Sequence, residues 1–270
     1  WMFGQYKRIT NRYESGTLTG KGLSWGGALV RPEATGYGAV FFLQEMLKVQ
    51  GRDVEGRTCV VSGAGNVAIH AIEKLQQLGG RVLACSDSQG YVYDPDGIDL
   101  PTLRQVKEVE RTTLQAYAGY RGGAVHHPRG NIWEVPTELA LPCATQNELA
   151  AADARMLVAN GCLAVAEGAN MPTTPEGLEV LRAGGVLFGP GKAANAGGVA
   201  TSALEMQQNA ARDSWTFAHT EAKLAEIMSS IHEQCAVTAE AYGRPGDYVL
   251  GANVAGFVRV ADAMVALGLI

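Results

Sequence analysis

The chain has 270 residues, of which 47% are hydrophobic and 18% charged, and its formal net charge is −5. A chain of this length is typical of one or two domains with a sizeable hydrophobic core, and its composition is that of an ordinary globular protein. The negative charge gives no electrostatic footprint for nucleic acid or an anionic membrane, so we predict neither as a partner. The five cysteines include no C-x-x-C pair and no uninterrupted apolar run approaches 18 residues, which together indicate reduced thiols in a cytoplasmic protein.

The first 30 residues predict a connecting region rather than part of a sheet. Trp1 to Tyr6 has the character of a helix interior, so we expect a segment upstream of it, and a glycine-rich loop follows. Pro32 and Glu33 then suit the first turn of a helix whose apolar positions continue until Gly51. We therefore predict an inter-domain helix stub and glycine-rich loop over residues 1–30.

Residues 58–68 carry the most informative motif, a β-branched run that ends in two glycines and leads directly into a helical pattern. Gly63 permits a tight turn, and Gly65 lets the backbone approach a pyrophosphate without a Cβ in the way. Ala68 lets the new helix pack close to the strand, and the helix N-terminus offers free N–H groups to phosphates. This G-x-G-x-x-A form, in its strand–turn–helix context, predicts dinucleotide binding.

A second apolar strand, residues 81–86, ends at Asp87, 24 residues after Gly63. An acidic side chain at about this distance usually bonds the adenosine ribose. A turn-rich excursion is predicted over residues 90–97, and a polar helix over residues 103–117.

Further strands and helices alternate along the rest of the chain. The strand-like runs are residues 139–142, 163–166 and 185–188, and the final helical segments are residues 198–212, 219–242 and 252–267. Alternation of this kind predicts an α/β fold with a doubly wound, Rossmann-type parallel sheet and additional C-terminal helices. We place the dinucleotide-binding domain at residues 31–196 and the helical segment packed on it at residues 197–270.

Three loops rich in amides, hydroxyls and small residues follow these strands, at residues 143–147, 167–174 and 191–198. Asparagine and glycine also simply make turns, which is the alternative for any one loop. Because all three follow strands of one sheet, they favour a ligand site at its edge.

Seven segments, taken in order, resemble the hexameric glutamate dehydrogenases from end to end of the chain. They are GQYKRITNRYESGTLTGKGLSWGG, RPEATGYG, VSGAGNVA, LPCATQNEL, AEGANMPTT, GKAANAGGVATSALEM and GANVAGFVRVADAM. The resemblance is to the coenzyme domain and C-terminal helices of that family; the N-terminal substrate domain, with the family's catalytic lysine and aspartate, has no counterpart here. The resemblance implies hydride transfer between L-glutamate and a nicotinamide coenzyme, which gives iminoglutarate and then 2-oxoglutarate and ammonia. It also implies that the complete enzyme is a homo-oligomer.

The resemblance also implies roles for matching positions. The residues expected to bind the coenzyme are Arg31, Thr35, Gly63, Gly65, Asn66, Val67, Asp87, Ser88, Ala144, Thr145, Asn170 and Asn195. Ser202 is expected to bond the side-chain carboxylate of glutamate; the alternative is a helical serine that satisfies its own backbone. No catalytic residue and no metal ligand is predicted within this chain.

NADP is favoured over NAD, because the Ser88 hydroxyl can bond a ribose 2′-phosphate and the NADP-using members resemble this run. Asp87 and Glu110 argue the other way through their negative charge, whereas Lys107 or Arg111 could supply a positive one.

Two other functions stay open from the sequence. One is a branched-chain or aromatic amino-acid dehydrogenase, which would need an apolar pocket where Ser202 lies. The other is a free-standing dinucleotide-binding or regulatory module. Among residues without a predicted chemical role, His70 is expected at the surface, His126 and His127 in a polar loop, and Lys192 in the coenzyme crevice.

Overall fold

A computed structural model describes residues 1–268 of the chain, and seven strands within that range form one sheet. They are β1 (Thr58–Val61), β2 (Arg81–Asp87), β3 (Gly90–Tyr93), β4 (Val125–Pro128), β5 (Leu139–Leu141), β6 (Ala164–Ala166) and β7 (Leu187–Gly189). The order across the sheet is β4-β3-β2-β1-β5-β6-β7. β2, β1, β5, β6 and β7 are parallel, which confirms the predicted α/β architecture.

The parallel core is extended at one edge by two strands that were not predicted, where β3 pairs antiparallel with both β2 and β4. The Asp87 carboxylate accepts the Gln89 N–H at 2.9 Å, and Gly90 has a φ of +143°, so the chain reverses at once after β2. The expected turn-rich excursion therefore begins with a hairpin strand. His126 and His127, expected in a loop, lie in β4 opposite it.

The helices follow the predicted order with one interruption. Their bounds are α1 (Met2–Thr10), α2 (Ala34–Val49), α3 (Asn66–Gln77), α4 (Leu100–Arg104), α5 (Leu114–Tyr120), α6 (Ala151–Ala159), α7 (Pro175–Ala183), α8 (Gly191–Ala194), α9 (Gly197–Ala211), α10 (Phe217–Ala241) and α11 (Tyr248–Leu267). The single helix expected over residues 103–117 is instead α4, a π-turn at Gln105–Val109 and α5. Arg111, with a left-handed φ of +55°, separates the π-turn from α5.

The strand order reverses at β1, which fixes where a ligand can bind. After β1 the chain adds β2 on one side, and it later returns to place β5 on the other side. The loops that leave the carboxyl ends of β1 and β5 diverge there, which opens a crevice of the kind in which doubly wound proteins hold their ligands.

Close helix contacts fix the walls of this crevice. A Cβ on Gly36 of α2 would lie 2.5 Å from the Val67 carbonyl oxygen of α3. A Cβ on Gly38 would lie 2.9 Å from the Cα of Gly197 in α9. Only glycine permits these approaches, so α2 touches α3 and α9 backbone to backbone. Leu224 and Met228 of α10 complete the same hydrophobic core.

The last helix, α11, differs from the others because most of it faces solvent. Its apolar residues Phe257, Val260 and Val265 are at least 60% exposed. By length and composition alone this helix could cross a membrane, with a mean hydropathy of 1.5 over its most apolar window. That is weak evidence, because helices of soluble proteins pass the same test, and here α11 packs along α10.

Candidate functional site

A crevice of about 710 Å³ lies at the carboxyl edge of the sheet, where the strand order reverses. It is lined by Arg31, Thr35, Val67, Cys143, Ala144, Gln146, Gly168, Ala169, Asn170, Asn195, Gly198, Val199 and Ser202. The structure thus brings together α2, the start of α3, all three of the loops singled out in the sequence, and α9.

The fingerprint turn, residues 62–66, directly precedes Val67, which lines the crevice. Gly63 has a φ of +86°, and a Cβ there would lie 3.1 Å from the Cys143 carbonyl oxygen. The Gly63 N–H donates to the Ser86 hydroxyl at 2.9 Å, which fixes the turn to β2. No atom lies within 4 Å of a Cβ built on Gly65, and no side chain caps the α3 N-terminus. Open space and free N–H groups at one point suit a pyrophosphate.

The Asn66 side chain has a different partner from the one expected. Its Nδ2 donates to the Pro32 carbonyl at 2.7 Å, so it ties the α3 N-terminus to the start of α2. The Thr145 N–H donates to the Glu148 carboxylate at 3.3 Å, and Thr145 does not line the crevice. Burial raises the pKa of Glu148, while hydrogen bonds from the Ser62 hydroxyl and the loop backbone oppose that rise.

Asp87 ends β2 beside the fingerprint turn, but its carboxylate is already engaged. It accepts the Gln89 and Leu114 N–H groups, each at 2.9 Å, and the Lys107 ammonium at 3.1 Å. Burial by itself would raise the pKa of Asp87, but these hydrogen bonds and the lysine charge outweigh it and lower the pKa. The sequence predicted that the Asp87 carboxylate would be available to a ribose, whereas in the structure it is hydrogen-bonded to other groups of the protein. Ser88 follows it and is free of such contacts among the described residues.

Two asparagines form the wall that the second and third loops contribute. Asn195 donates through Nδ2 to the Asn170 side-chain oxygen at 2.7 Å and to the Ala169 carbonyl at 3.2 Å. Behind them, buried Glu167 accepts the Gly191 N–H at 2.6 Å and so joins the two loops. Burial raises the pKa of this carboxyl, and its hydrogen bonds lower it by less. The wall is therefore held in place from the protein side.

A further part of the crevice is built around Ser202 on α9. Its hydroxyl oxygen accepts a hydrogen bond from Arg31 Nε at 2.9 Å and another from the Thr19 hydroxyl at 3.1 Å. A serine oxygen has two acceptor positions, and both are then filled. Within residues 1–268 the hydroxyl donates to no protein group, so its proton is available to an acceptor in the crevice.

The comparisons with known proteins agree with this geometry. The profile of the Glutamate/Leucine/Phenylalanine/Valine dehydrogenase family matches residues 26–268. The chain belongs to this family.

Individual members of the family are similar over the whole chain. An NADP-specific glutamate dehydrogenase of Escherichia coli is 51% identical, and the match covers 100% of this chain and 60% of the relative. An NAD(P)-specific glutamate dehydrogenase of Xylanibacter ruminicola is also 51% identical, over 100% of this chain and 61% of its own length. The crystal structure of Plasmodium falciparum glutamate dehydrogenase superposes with a TM-score of 0.97 at 44% identity, covering 100% of this chain and 58% of that one. This chain therefore spans about three fifths of the length of these relatives.

Arg31 lines the crevice, where its guanidinium contacts Ser202, and its expected role in coenzyme binding stays a prediction. Two other sequence-based placements need correction in this dehydrogenase-family chain. Lys192 is exposed outside the crevice lining and donates to Asn253 of α11 at 2.5 Å. His70 was expected at the surface, but it is 7% exposed because α3 turns it toward Asn66 and Tyr37. Among the described residues no group of three or more His, Cys, Asp or Glu side chains could hold a metal ion.

Sequence reasoning missed several residues of the crevice. Gln146 and Val199 line it, and each lies next to a position that was expected there. Thr19 was missed because its partner Ser202 is 183 residues away, a separation that no local pattern reports. The glycine loop that carries Thr19 was the available signal, since such a loop needs anchors elsewhere in the fold.

Proposed function

We propose that this chain is the coenzyme-binding part of an NADP-dependent glutamate dehydrogenase, which oxidatively deaminates L-glutamate to 2-oxoglutarate and ammonia. The observation that carries the proposal is the crevice together with the turn beside it. The turn, which precedes Val67 of the lining, is open to a pyrophosphate, and the lining itself contains a hydroxyl and guanidinium pair. Together they suit a dinucleotide and a small carboxylate side by side.

The proposed coenzyme site works by shape and by backbone polarity. Gly65 leaves room for the pyrophosphate, and the uncapped α3 N-terminus supplies N–H groups and a partial positive charge to it. Thr35, Asn170 and Asn195 offer a hydroxyl and amides to the nicotinamide half. When bound, NADP supplies the hydride acceptor; the residues named here bind and orient it.

The choice of NADP rests on the pairing of Asp87 with Lys107. An unpaired aspartate would repel a ribose 2′-phosphate, but here the lysine offsets its charge. The neutralised pair removes the repulsion, and the Ser88 hydroxyl then offers that phosphate a donor. The NADP-specific and NAD(P)-specific names of the Escherichia coli and Xylanibacter ruminicola relatives support the same choice.

Glutamate is the substrate that the hydroxyl and guanidinium pair favours. The Ser202 hydroxyl proton and the Arg31 guanidinium suit a carboxylate, which can accept from both. An apolar side chain would leave the Ser202 hydroxyl proton and the remaining Arg31 N–H groups without an acceptor, at a cost of about 1–3 kcal/mol for each unsatisfied group. This argues for glutamate over the leucine, phenylalanine and valine that also appear in the family's name.

The remaining chemistry needs residues beyond this crevice. None of its lining residues within the described range is a lysine, aspartate, glutamate or histidine, and burial raises the pKa of the Cys143 thiol. A proton acceptor tuned near neutral pH is required at the α-amino group. We propose that a separate substrate domain supplies it, in a cytoplasmic homo-oligomer. Residues 1–30 then form the inter-domain helix stub and loop, residues 31–196 the coenzyme domain, and residues 197–270 the helical segment packed on that domain.

Binding and turnover test different parts of this proposal. Titration of the chain with NADPH, followed by calorimetry and tryptophan fluorescence, should give saturable binding that is tighter than that of NADH. In the full-length protein, Ser202→Ala should raise the KM for glutamate and leave the KM for NADP unchanged. A folded chain with no saturable NADPH signal at millimolar concentration would overturn the coenzyme role. Saturable binding without glutamate oxidation by the full-length protein would favour a free-standing binding module.

A further inference from the structure

The most deeply buried ion pair of the described residues joins Lys21 to Glu205. Their side chains are 3% and 0% exposed, and the Lys21 ammonium lies 2.6 Å from the Glu205 carboxylate. Burial of two charges is costly, and the attraction between them offsets it only when their other hydrogen-bonding positions are also satisfied. Neither residue lines the crevice, so the coenzyme and substrate contacts described above do not explain why the pair is there.

The Glu205 carboxylate holds a segment of backbone as well as the lysine. One of its oxygens accepts the Gly20 N–H at 2.9 Å, and the other accepts the Lys21 N–H at 3.4 Å. The Lys21 ammonium also donates to the Leu18 carbonyl, which closes the loop on itself. One carboxylate on α9 therefore fixes residues 18–21.

The same face of α9 continues this anchoring one turn further along. Asn209 donates to the Gly26 carbonyl at 2.7 Å, and Gln208 donates to the Gly27 carbonyl at 3.3 Å. The segment they hold, residues 16–27, contains five glycines, so it has few side chains with which to pack. Glycine loses more conformational freedom on ordering than any other residue, and the loop therefore depends on these hydrogen bonds.

The anchored segment brings Thr19 to Ser202. Thr19 precedes Gly20, whose N–H is bonded to Glu205, and its hydroxyl donates to the Ser202 oxygen at 3.1 Å. Glu205 lies three residues after Ser202, on the same face of α9. If the loop moved away, Ser202 would lose a donor and its proton would no longer be directed into the crevice.

We propose that Lys21 and Glu205 are positioning residues for substrate binding: they hold Thr19 against Ser202 and so set the affinity for the substrate's side-chain carboxylate. The inference rests on the proposed role of Ser202. Neither residue touches the substrate, so their removal changes the order of the loop first and the substrate affinity through it.

The test compares three variants in the full-length protein: Glu205→Gln, Lys21→Met and the two combined. Glu205→Gln leaves the lysine charge buried without its partner, whereas the double variant removes both charges and keeps an oxygen for the Gly20 N–H. Glu179→Gln is the matched control, because Glu179 pairs with Arg182 at an exposed position on α7. Amide hydrogen exchange of residues 18–22 and the KM values for glutamate and NADP are measured in each.

We expect Glu205→Gln to speed exchange at residues 18–22 and to raise the KM for glutamate by about tenfold or more, because misplaced binding groups cost this much. The KM for NADP should stay within about twofold, and the double variant should lose less affinity for glutamate than Glu205→Gln. If Glu205→Gln does not fold, the amide exchange and the KM values of the double variant are compared with those of the wild type instead.

Two results would overturn the inference. Unchanged exchange in the variants would show that the pair does not order the loop. Faster exchange with an unchanged KM for glutamate would show a purely structural role. Failure of the proposed function is seen separately, as a wild-type protein that binds NADPH and does not oxidise glutamate.

Discussion

The Lys107 ammonium lies 3.1 Å from the Asp87 carboxylate, and this contact joins the end of β2 to the π-turn that follows α4. The residue that the sequence marks as a ribose ligand is thus paired with the nearest cation. In the proposed function we therefore expect discrimination between coenzymes to depend on Lys107 as well as on Asp87.

Lys107→Ala should weaken NADP binding far more than NAD binding. The substitution removes a positive charge and leaves Asp87 unpaired beside the added phosphate, so both effects act against NADP. Calorimetric titration with each coenzyme gives the two Kd values. The Kd for NADP divided by the Kd for NAD should rise by about tenfold or more in the variant. Lys48→Ala, at an exposed pair on α2, is the control. An equal loss for both coenzymes would contradict the assignment.

Valine at Gly65 should block coenzyme binding without unfolding the protein. The Gly65 backbone is extended and no atom lies near its Cβ position, so a side chain fits the fold but occupies the space proposed for the pyrophosphate. Fluorescence titration should show no saturable NADPH binding, with the free energy of unfolding changed by less than about 1 kcal/mol.

Valine at Gly63 is the contrasting case. A φ of +86° and the contact with Cys143 make any side chain there strained, so urea unfolding should show a loss of about 1–3 kcal/mol. Equal destabilisation by the two valines would contradict the distinction between the two glycines.

The 270-residue chain by itself should not turn over glutamate. Alignment of two reactants in one orientation contributes on the order of 7–11 kcal/mol, and in the proposed function this crevice binds the coenzyme and only one end of the substrate. Absorbance at 340 nm with saturating glutamate and NADP measures the rate directly. Turnover within a few hundredfold of a complete enzyme would show that the proton acceptor lies in this chain.

Stability should fall as the pH drops below about 6.5 because of His232. Burial lowers the pKa of this imidazole, and the nearby carboxylates of Glu45 and Glu233 only partly oppose it. The unfolded chain therefore binds a proton at a pH where the folded chain does not, so acid favours unfolding by up to about 1.4 kcal/mol per pH unit. Thermal melts from pH 7.5 to 5.5 should show this slope in the wild type.

His232→Leu should flatten that slope, because it removes the titrating imidazole. The substitution breaks no hydrogen bond at Nε2, which is buried without a partner. His219→Gln, at an exposed histidine on the same helix, should leave the slope as it is in the wild type. A slope that His232→Leu does not change would exclude this histidine as its source.

The fold could be predicted from the sequence wherever the local sequence pattern alone determines the secondary structure. The fingerprint turn, the parallel strands and the three C-terminal helices were predicted to within a few residues. The hairpin at Gly90 was missed, because turn residues in the sequence do not show that the strand beyond them pairs with the strand before. The break at Arg111 was missed because a left-handed arginine leaves no signature in composition.

Seven of the thirteen site residues named from the sequence line the crevice, and their contacts with a coenzyme or substrate stay predictions. Asp87 and Lys107 were both named from the sequence, whereas their contact with each other depends on how the chain folds over the 20 residues that separate them. The contact of Arg31 with Ser202 was not predicted, since a motif names a residue without giving the direction of its side chain. Contacts between segments that are distant in sequence determine which side chains pair, and these contacts form only when the chain folds.

Helix α2 contacts α3 and α9 through main-chain atoms, and these contacts limit which substitutions the protein can accept. The separation of α2 from α3 and from α9 is set by main chain meeting main chain at Gly36, Gly38 and Gly197. In the proposed function, substitutions at the crevice surface can alter which amino acid is accepted without altering these contacts. A frame of this kind is suited to a family whose name spans four different amino acids, because selectivity can drift while the reach of the coenzyme stays constant.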